Sequence, residues 1–543
     1  MIDRIWKVAA KNYSKKSKNW LLSILANNRG LTTKNKLDEF LNSSLKHILD
    51  LKPTDLKKAV SRVEKALKNK EKIIVYSDYD ADGICASAIV WETLFDLGAD
   101  IMPYVPHRIK EGYGLSKLAI RKLASKGTKL IVTVDHGVTA LDEIEFAKKL
   151  AVDIIVTDHH LKPKSPPKPV AMVHTTQLCG GGVAWRFCWE IVKKIKPSYK
   201  KVLVEKLELA AIATVADLVP LIGANRAIVK LGLEKLNKTK RPGLKSLIRS
   251  SAVSGPLNSH DIGHAIAPRI NAMGRLEHGM DSLRLICAKN QKKADELASL
   301  LSVTNSKRQT LTTNAVDQAL NMFNKDQLVG VLDHESWHQG VIGLVASKLV
   351  ESHYRPMVAI SRGPELSKGS ARSIQGFNIV EAIRASSEFL TDAGGHPMAA
   401  GFTIKTKYIK AFAKNINIYA QKTLSAEMLT PTLKIECELD SRDINAETLK
   451  LIKTFEPYGV GNPSPIFLTR NMIVEDVRGV GAQSKHLKLQ ISNHNAIGFN
   501  MGEKRYNLRP GNSVDVVYTI DEDNYNGAGK VQMKIKDLRS VDS

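Results

Sequence analysis

The chain has 543 residues, with 80 Lys and Arg against 55 Asp and Glu, so its formal net charge is +25. Its 43% hydrophobic and 25% charged residues exclude a disordered chain. A length well beyond ~300 residues excludes a single hydrophobic core. No apolar run reaches the ~18–20 residues of a membrane span, and the Lys-rich beginning lacks a signal-peptide pattern.

The five cysteines are scattered and form no CxxC pair. This usage argues against a disulfide framework and a cysteine zinc site, and it favours a reducing compartment. We therefore expect a cytoplasmic protein. The basic excess predicts a polyanionic partner, nucleic acid first, and a Lys-rich proteome is the alternative explanation.

The chain begins with a basic segment that carries ten Lys and Arg among its first 50 residues. From residue 72 the apolar runs KIIVYS, KLIVTV and DIIVT alternate with helical patterns such as residues 83–97. Short apolar runs separated by ~10–15-residue helices are typical of βαβ units. This part is predicted to be α/β, with a parallel sheet covered on both faces.

The rest of the chain is predicted to contain a long helix, a second α/β region and then an all-β region. Residues 291–325 predict one long connecting helix, and a second α/β region follows from Gln327. In that region we expect a Gly/Ser loop at KGSARS and a Gly-rich turn at Gly394–Gly395. After Pro431, short alternating strands with Gly and Asn turns predict a small all-β barrel.

Acidic and imidazole side chains follow three of the predicted strands. KIIVYS runs into DYDADG, KLIVTV into Asp135, and DIIVT into Asp158–His159–His160. The carboxyl ends of parallel strands form the ligand crevice of an open α/β sheet. An EF-hand is rejected because the twelfth residue from Asp78 is Ile89 and not Glu. Helix capping by Asp135 and a surface histidine pair remain the structural alternatives for the separate pieces.

Many carboxylates with one or two imidazoles and no thiolate suit Mn²⁺ or Mg²⁺. Four or more acids exceed the needs of one ion, so two metal ions ~3.5–4 Å apart are expected, as in phosphatases and nucleases. Together with the basic charge, this predicts metal-dependent hydrolysis of phosphodiesters.

Four segments resemble, in order, the motifs of the DHH phosphoesterase superfamily: DYDADG, VTVDHG, TDHH and TVADLVPL. Further segments resemble the RecJ family of bacterial single-strand-specific exonucleases: YVPHRIKEGYGL, CGGGVAW, APRINAMGRL, WHQGVIGLVASKL, KGSARSIQGFNI, GGHPMAAGF and EPYGVGNPSPIF. The resemblance runs from about Gly30 to the last residue. It implies a DHH domain joined by a long helix to a second α/β domain (DHHA1), plus an OB-fold barrel.

The domain boundaries expected from this resemblance are a basic N-terminal segment (1–45), a DHH catalytic domain (46–225), a helical connector (226–325), a DHHA1 substrate-binding domain (326–428) and an OB-fold single-strand-binding domain (429–543). By position, the family's metal ligands are Asp80, Asp82, Asp135, His159 and Asp217, with Asp78 beside them. The resemblance implies that His160 orients the scissile phosphate or assists a metal, which makes it catalytic together with these ligands. Asp217 is identified by the resemblance alone.

Residues that bind the strand are also implied by the resemblance. In the DHHA1 domain they are Ser370, Arg372 and Ser373 of KGSARS for the 5′ end, with Arg275, and Gly395 and His396 of GGH. Arg108, Lys110 and Tyr113 mix cationic and aromatic groups, as a single-strand path requires, although a solvated loop is the alternative. In the barrel the candidates are Lys485, His486, Lys488 and Tyr525, and a solvated barrel face is equally consistent with them.

The resemblance implies a 5′-to-3′ exonuclease that degrades single-stranded DNA to mononucleotides in recombination and repair. Single-strand-binding protein and a RecQ-type helicase are the implied protein partners. Two alternatives stay open at this point: a DHH phosphodiesterase acting on short oligonucleotides or cyclic dinucleotides, and a non-catalytic single-strand-binding scaffold.

Overall fold

The computed structural model describes residues 4–11, 13–14, 17, 19–523 and 530–541. Its first elements, in chain order, are β1 (Ile5–Ala10), α1 (Trp20–Asn28), α2 (Lys34–Leu41), α3 (Leu45–Asp50), α4 (Leu56–Lys68), β2 (Lys72–Ser77), α5 (Ala81–Asp96), β3 (Ile101–Tyr104), α6 (Lys117–Ala124), β4 (Thr128–Val134), α7 (Leu141–Lys149), β5 (Asp153–Asp158), β6 (Ala171–His174), α8 (Gly180–Ile195), α9 (Lys200–Glu205), α10 (Leu207–Ala216), α11 (Gly223–Leu236), α12 (Pro242–Ser250) and α13 (Ser259–Asp261).

The remaining elements are α14 (Ala267–Leu276), α15 (Met280–Ile286), α16 (Gln291–Met322), β7 (Gly330–His334), α17 (Ile342–His353), β8 (Met357–Ser361), β9 (Leu366–Arg372), α18 (Ile379–Arg384), β10 (Leu390–His396), β11 (Ala399–Lys405), α19 (Ile409–Thr423), β12 (Thr432–Glu438), α20 (Ala446–Lys453), β13 (Phe467–Val480), β14 (His486–Ile491), β15 (His494–Gly498), β16 (Ser513–Glu522) and β17 (Val531–Ser540). None of the helices in the described ranges is both long and apolar enough to cross a membrane.

The described chain divides into two compact units. One is formed mainly by residues 6–267, 282–295 and 434–543, and the other mainly by residues 268–281 and 296–433. The first unit holds the predicted parallel sheet and the barrel, and the second holds the later α/β region. The predicted connecting helix is confirmed as α16, a single helix of 32 residues.

The first sheet is parallel, as predicted, and its strand order is β3-β2-β4-β5-β6. Its Ile- and Val-rich strands are buried on both faces, with α6 and α7 packed in the core of one face. Helices α5, α8 and α10 pack together and against β2 and β5 on the other. The chain leaves β2 toward β3 on one side and returns to β4 on the other. Such a reversal opens a crevice at the carboxyl ends of the strands.

The second unit contains a mixed sheet with strand order β10-β11-β9-β8-β7. Only β7 and β8 run parallel, and the other neighbours are antiparallel. Two expectations were wrong here, because all of KGSARS except Ser373 lies in strand β9 and Gly394–Gly395 lie in strand β10. The small residues suggested loops, yet an added Cβ at Gly369 would come within 2.1 Å of the Phe402 ring. The strand uses small side chains to make room for this core aromatic.

The C-terminal strands form the predicted barrel. Strands β13-β14-β15-β17-β16 are neighbours in order, and β16 pairs back onto β13 to close it. Strand β1 was not predicted, although five of its six residues (IWKVAA) are apolar, and it extends this sheet beyond β12. Leu21, Leu25 and Phe40 of α1 and α2 share the buried core of the barrel.

Candidate metal centre and strand-binding residues

The acidic residues predicted from three strand ends meet at one edge of the parallel sheet. Asp78 follows β2 directly, and Asp80 caps α5 by accepting a hydrogen bond from the Gly83 amide at 3.0 Å. Asp135 follows β4 with a left-handed backbone, φ 67°, and its amide donates to the β5 carbonyl of Thr157. The tight turn after β4 therefore keeps the Asp135 side chain at the sheet edge.

Asp82 is held by the first turn of α8. Its two carboxylate oxygens accept hydrogen bonds from the amides of Gly180 and Gly181 at 2.7 and 2.6 Å. A Cβ at Gly180 would lie 2.6 Å from the Asp135 carboxylate, and one at Gly181 would lie 2.5 Å from Ala213. The glycines of CGGG therefore let α8 approach two acids closely, and its positive end offsets their charge.

His159 lies in the middle of the acids. Its Nε2 atom is 3.1 Å from Asp135 Oδ1, 3.6 Å from Asp217 Oδ2 and 3.9 Å from Asp82 Oδ2. Asp217 reaches this position from the end of α10. Acids from three separate segments of the chain thus surround one imidazole.

Among the residues that the structure describes, three groups of side chains have ligand atoms within 4.8 Å of one another: Asp78, Asp80 and Asp135; Asp82, His159 and Asp217; Asp135, His159 and His160. The first two groups share no residue, which is the pattern expected for two ions. In the described ranges, the buried Oδ1 atom of Asp135 accepts no hydrogen bond. A buried carboxylate oxygen without donors needs a proton or a cation to offset its charge, and carboxylate with imidazole suits Mn²⁺ or Mg²⁺. The residues present fit such ions.

The crowding of these acids shifts their protonation. Burial, reinforced by the charge of Asp80, raises the pKa of Asp82 to about 7. Burial and the charges of Asp82 and Asp80 raise the pKa of Asp217 to about 8. Burial and neighbouring carboxylates likewise hold the pKa values of Asp78 and Asp135 well above their usual range. A bound divalent cation would reverse this tendency and favour the ionised forms.

His160 is oriented by Asp158. Its Nδ1 atom lies 2.8 Å from Asp158 Oδ1, which also accepts from the His159 and His160 amides at 2.7 and 3.1 Å. Asp158 Oδ2 accepts from the Val138 amide at 3.0 Å. Burial alone would lower the pKa of His160, but the hydrogen bond and charge of Asp158 raise it to about 9. Asp158 thus favours the charged form of the imidazole and leaves its other nitrogen directed away from Asp158.

The loop between β3 and α6 carries the predicted cationic and aromatic residues. The Arg108 guanidinium lies 5.0 Å from the centre of the Tyr79 ring. The Tyr113 hydroxyl donates to the Asp135 carbonyl at 3.2 Å, and its side chain is 52% exposed. Tyr113 is therefore tied to the acid cluster while the residue remains partly exposed. Lys110 is exposed on the same loop.

In the second unit, three predicted residues converge on the first turn of α17. Arg275 Nη1 donates to the Gly340 carbonyl at 3.2 Å. A Cβ at Gly343 would lie 3.0 Å from Arg372 Nη2 and 3.1 Å from Ser370 Oγ. Two guanidinium groups and a hydroxyl therefore lie around the start of a twelve-residue helix, where backbone amides favour anions.

The other predicted residues of this unit differ in accessibility. Ser373 is buried, and its hydroxyl donates to the Phe377 carbonyl at 2.6 Å. Gly395 (φ 150°) lies against β11, where a Cβ would meet the Ala399 carbonyl oxygen at 2.4 Å. His396 is exposed at the end of β10. The structure brings Ser370, and not Ser373, to the side chain of Arg372.

On the barrel, Lys485 is exposed and His486 is half-buried at the start of β14. His486 Nδ1 accepts from the Asn500 amide at 3.0 Å, and its ring packs edge-on against Phe499. Phe499 is 53% exposed and was not predicted, although an aromatic residue at a strand end is a usable signal. Lys488 lies two residues further along β14, and Tyr525 lies outside the described residues.

Comparison with known proteins places this arrangement in a family. The single-stranded-DNA-specific exonuclease RecJ of Bacillus subtilis (strain 168) is 36% identical, over 95% of this chain and 67% of its own length. RecJ of Thermus thermophilus is 32% identical, over 95% of this chain and 74% of its own length. RecJ of Haemophilus influenzae is 30% identical, over 96% of this chain and 96% of its own length. This chain belongs to the RecJ family. The family resemblance of the motifs is thereby confirmed.

RecJ crystal structures share the fold along nearly the whole chain. RecJ from T. thermophilus in complex with Mn²⁺ matches with a TM-score of 0.86 and 28% identity, over 99% of this chain and 79% of that one. The Mg²⁺ complex matches with a TM-score of 0.79 and 28% identity, over 98% and 78%. The DHH family N-terminal domain matches residues 72–214, the DHHA1 domain 316–422 and the RecJ OB domain 435–537. The predicted fold class is confirmed.

Two parts of this RecJ-family site were not assigned a role from the sequence. Asp158 is the carboxylate that holds His160, and Gly180 and Gly181 donate to Asp82. Both lay within quoted motifs, TDHH and CGGGVAW. The signal was present, but it does not say which acid a distant glycine contacts.

Proposed function

We propose that this chain is a metal-dependent 5′-to-3′ exonuclease that hydrolyses single-stranded DNA to 5′-mononucleotides in recombination and repair. One observation carries the proposal. Carboxylates and imidazoles from the ends of β2, β4, β5 and α10 converge into groups of metal-ligating atoms in a chain of the RecJ family. The RecJ relatives are named as exonucleases specific for single-stranded DNA.

In this proposal Asp78, Asp80, Asp82, Asp135, His159 and Asp217 hold two Mn²⁺ or Mg²⁺ ions. When bound, the ions supply Lewis acidity that activates water and offsets charge on the phosphoryl oxygens. The α8 amides keep Asp82 fixed, and the turn after β4 keeps Asp135 fixed, so that the ligands are oriented before substrate binds.

His160 is proposed to bind the scissile phosphate. Asp158 orients the His160 ring and favours its protonated form. A protonated imidazole suits contact with a non-bridging phosphate oxygen whose negative charge grows during hydrolysis. Arg108 and Tyr113, on the loop beside Asp135, are proposed to bind the neighbouring phosphate and base.

Recognition of the 5′ end is assigned to the DHHA1 domain together with Arg275 of the helical connector. Arg275, Ser370 and Arg372 surround the first turn of α17, and two guanidinium forks with a hydroxyl suit a terminal phosphate. Gly395 and His396 are proposed to contact the strand, and Ser373 to support this pocket from the interior. Lys485 and His486 of the barrel are proposed to bind the strand further along.

The domain boundaries given above are part of this proposal, and so are single-strand-binding protein and a RecQ-type helicase as partners. A time course with 5′- and 3′-labelled single-stranded and duplex DNA tests the activity in the presence of Mn²⁺, Mg²⁺ or EDTA. We expect mononucleotide release from the 5′ label of single strands only, lost with EDTA and in Asp135→Ala. Release from the 3′ label, or turnover by purified Asp135→Ala, would contradict the polarity or the ligand assignment.

A further inference from the structure

The turn that carries Asp217 contains a residue with an unfavourable backbone conformation. Asp217 ends α10, where its amide donates to the Ala213 carbonyl at 3.0 Å. The next residue, Leu218, has a left-handed backbone, φ 58°, and is 68% exposed. Left-handed backbone is unfavourable for a large L-residue, so contacts elsewhere must hold this turn in place.

One such contact is local, because the buried Asn225 side chain donates to the Pro220 carbonyl at 3.1 Å. Others come from residues 456–463, which we call the backing loop. The Leu221 amide donates to the Val460 carbonyl at 2.7 Å. A Cβ at Gly459 would lie 2.7 Å from Leu221 Cδ1, and one at Gly461 (φ 76°) would lie 3.0 Å from Pro220 Cβ. The two glycines therefore let the backing loop pack directly on the segment that follows Asp217.

The backing loop is in turn clamped by a buried arginine of α11. The guanidinium of Arg226 donates to the carbonyls of Phe455 at 2.9 Å, Glu456 at 2.6 Å and Pro457 at 3.3 Å. It also donates to the Phe40 carbonyl at 2.8 Å and lies over the Phe40 ring. The side chain is fully buried, and these bonds go to backbone carbonyls instead of a carboxylate. A buried cation is costly unless it is fully hydrogen-bonded, so this geometry tolerates little movement.

Asn462 completes the clamp. It is fully buried, and its Nδ2 donates to the carbonyls of Phe455 and Pro457 at 2.8 and 2.9 Å. Its Oδ1 accepts from Arg29 Nε at 2.9 Å. One side chain of α11 and one of the backing loop itself thus bind the same pair of carbonyls and fix the shape of the loop.

We infer that the backing loop positions Asp217 for metal binding, with Arg226 and Asn462 as positioning residues that never touch the metal. Metal–ligand distances must be met within about 0.2 Å. A turn with a left-handed residue cannot provide that precision without a rigid support. This inference rests on the proposed function, because it takes Asp217 as a metal ligand.

The test uses Gly459→Ala in the full chain, with Mn²⁺ binding followed directly by loss of the free-ion EPR signal. The added methyl presses on Leu221 and displaces the turn. We expect one of two ions to bind about tenfold more weakly or worse, as for altered outer-shell contacts. The other ion should keep its affinity, because Asp78, Asp80 and Asp135 follow β2 and β4.

A compensating change separates positioning from general stability. Leu221→Ala removes both side-chain atoms that the Gly459→Ala methyl would meet. The double variant should therefore recover Mn²⁺ affinity although its melting temperature falls further, because Leu221 is a buried residue. The inference would be overturned if the double variant lost Mn²⁺ affinity together with its lower melting temperature.

A second variant keeps the test decisive if Gly459→Ala does not fold. Asn462→Asp keeps the acceptor for Arg29 and removes the donors to Phe455 and Pro457, so the same ion should bind more weakly. The control is Asn417→Ala, which removes a comparable amide clamp on Val329 in the other unit and should leave Mn²⁺ affinity unchanged. Unchanged affinity in Asn462→Asp would overturn the inference. Absence of Mn²⁺ binding by the unaltered chain would instead overturn the proposed function.

Discussion

Asp158 shows how one residue can matter without touching substrate. It is fully buried at the end of β5, and it accepts hydrogen bonds from the amides of Val138, His159 and His160 as well as from the His160 ring. These contacts depress the pKa of Asp158, although burial alone would raise it. The carboxylate therefore stays ionised and keeps its partner imidazole charged.

We expect Asp158→Asn to lower kcat about 10- to 100-fold, the loss that follows from one charge-assisted hydrogen bond. Mn²⁺ affinity should change much less, because Asp158 is not among the proposed ligands. Single-turnover kinetics with Mn²⁺ titrations separate the two quantities. Asp153→Asn is the matched control, since Asp153 begins the same strand and pairs with Arg62. Equal losses in both variants would show that a strand-wide disturbance, and not His160, is responsible.

Like Asp158, Gly180 at the start of α8 acts on the site through its contacts with other residues. Its amide donates to Asp82, and its Cα faces Asp135 so closely that a methyl would overlap the carboxylate. We expect Gly180→Ala to weaken Mn²⁺ binding about tenfold or more and to reduce hydrolysis accordingly. Calorimetric Mn²⁺ titration is the measurement. Gly263→Ala is the control, because a Cβ there would be 3.7 Å from its nearest neighbour. Wild-type affinity in Gly180→Ala would contradict this view of the site.

At the scale of elements, β9 delivers one face to the core and the other to the proposed phosphate pocket. Ser367, Gly369 and Ala371 point inward, while Lys368, Ser370 and Arg372 lie on the opposite face. The strand therefore fixes Ser370 and Arg372 side by side, next to the start of α17. A loop would leave the spacing of these two side chains less well defined.

We expect Arg372→Ala to remove the preference for a 5′-phosphorylated end, because the bidentate guanidinium contact is lost. Competition between 5′-phosphorylated and 5′-hydroxyl single strands measures the preference. Lys368→Ala, at the other end of the same strand face, is the control and should keep it; its Nζ donates to Thr403. An unchanged preference in Arg372→Ala would place the end pocket elsewhere.

At the scale of the whole molecule, the net charge is +25, but one region of the protein is locally acidic. Carboxylates gather at one sheet edge, while Lys and Arg dominate the N-terminal segment and the loop that bears Arg108. A polyanionic strand is therefore attracted to the protein as a whole and meets acids only where cations can bridge them.

Single-strand affinity should accordingly fall steeply with salt, by about 0.7 log units per log unit of salt for each phosphate contacted. Five contacts would give about a hundredfold loss between 50 and 200 mM salt. Fluorescence anisotropy with a labelled oligonucleotide and Ca²⁺ in place of Mn²⁺ measures this, and sucrose at matched osmolality is the control. If single-strand affinity does not change with salt, a Lys-rich proteome and not strand binding would explain the basic charge.

Much of the fold was predictable because its signals are local. Runs such as KIIVYS and the Gly-free stretch 291–325 indicate strand or helix within a few residues, and the acids that follow three strands indicate the active edge. The strand β9 was missed for the same reason, since Gly and Ser are local loop signals. The packing of Phe402 on Gly369 is a tertiary contact that explains why a glycine lies in this strand.

By itself, the sequence determined the alternation of strands and helices, the acids and imidazoles at the strand ends, the basic charge and the motifs of the family. The tertiary structure alone decided which of these groups meet. Asp82 is bound by amides nearly a hundred residues away, and Asp217 is supported by a loop more than two hundred residues further along. Periodicity reports the environment of one segment, whereas a metal centre depends on distances between segments. Those distances are set by the packing of the whole unit.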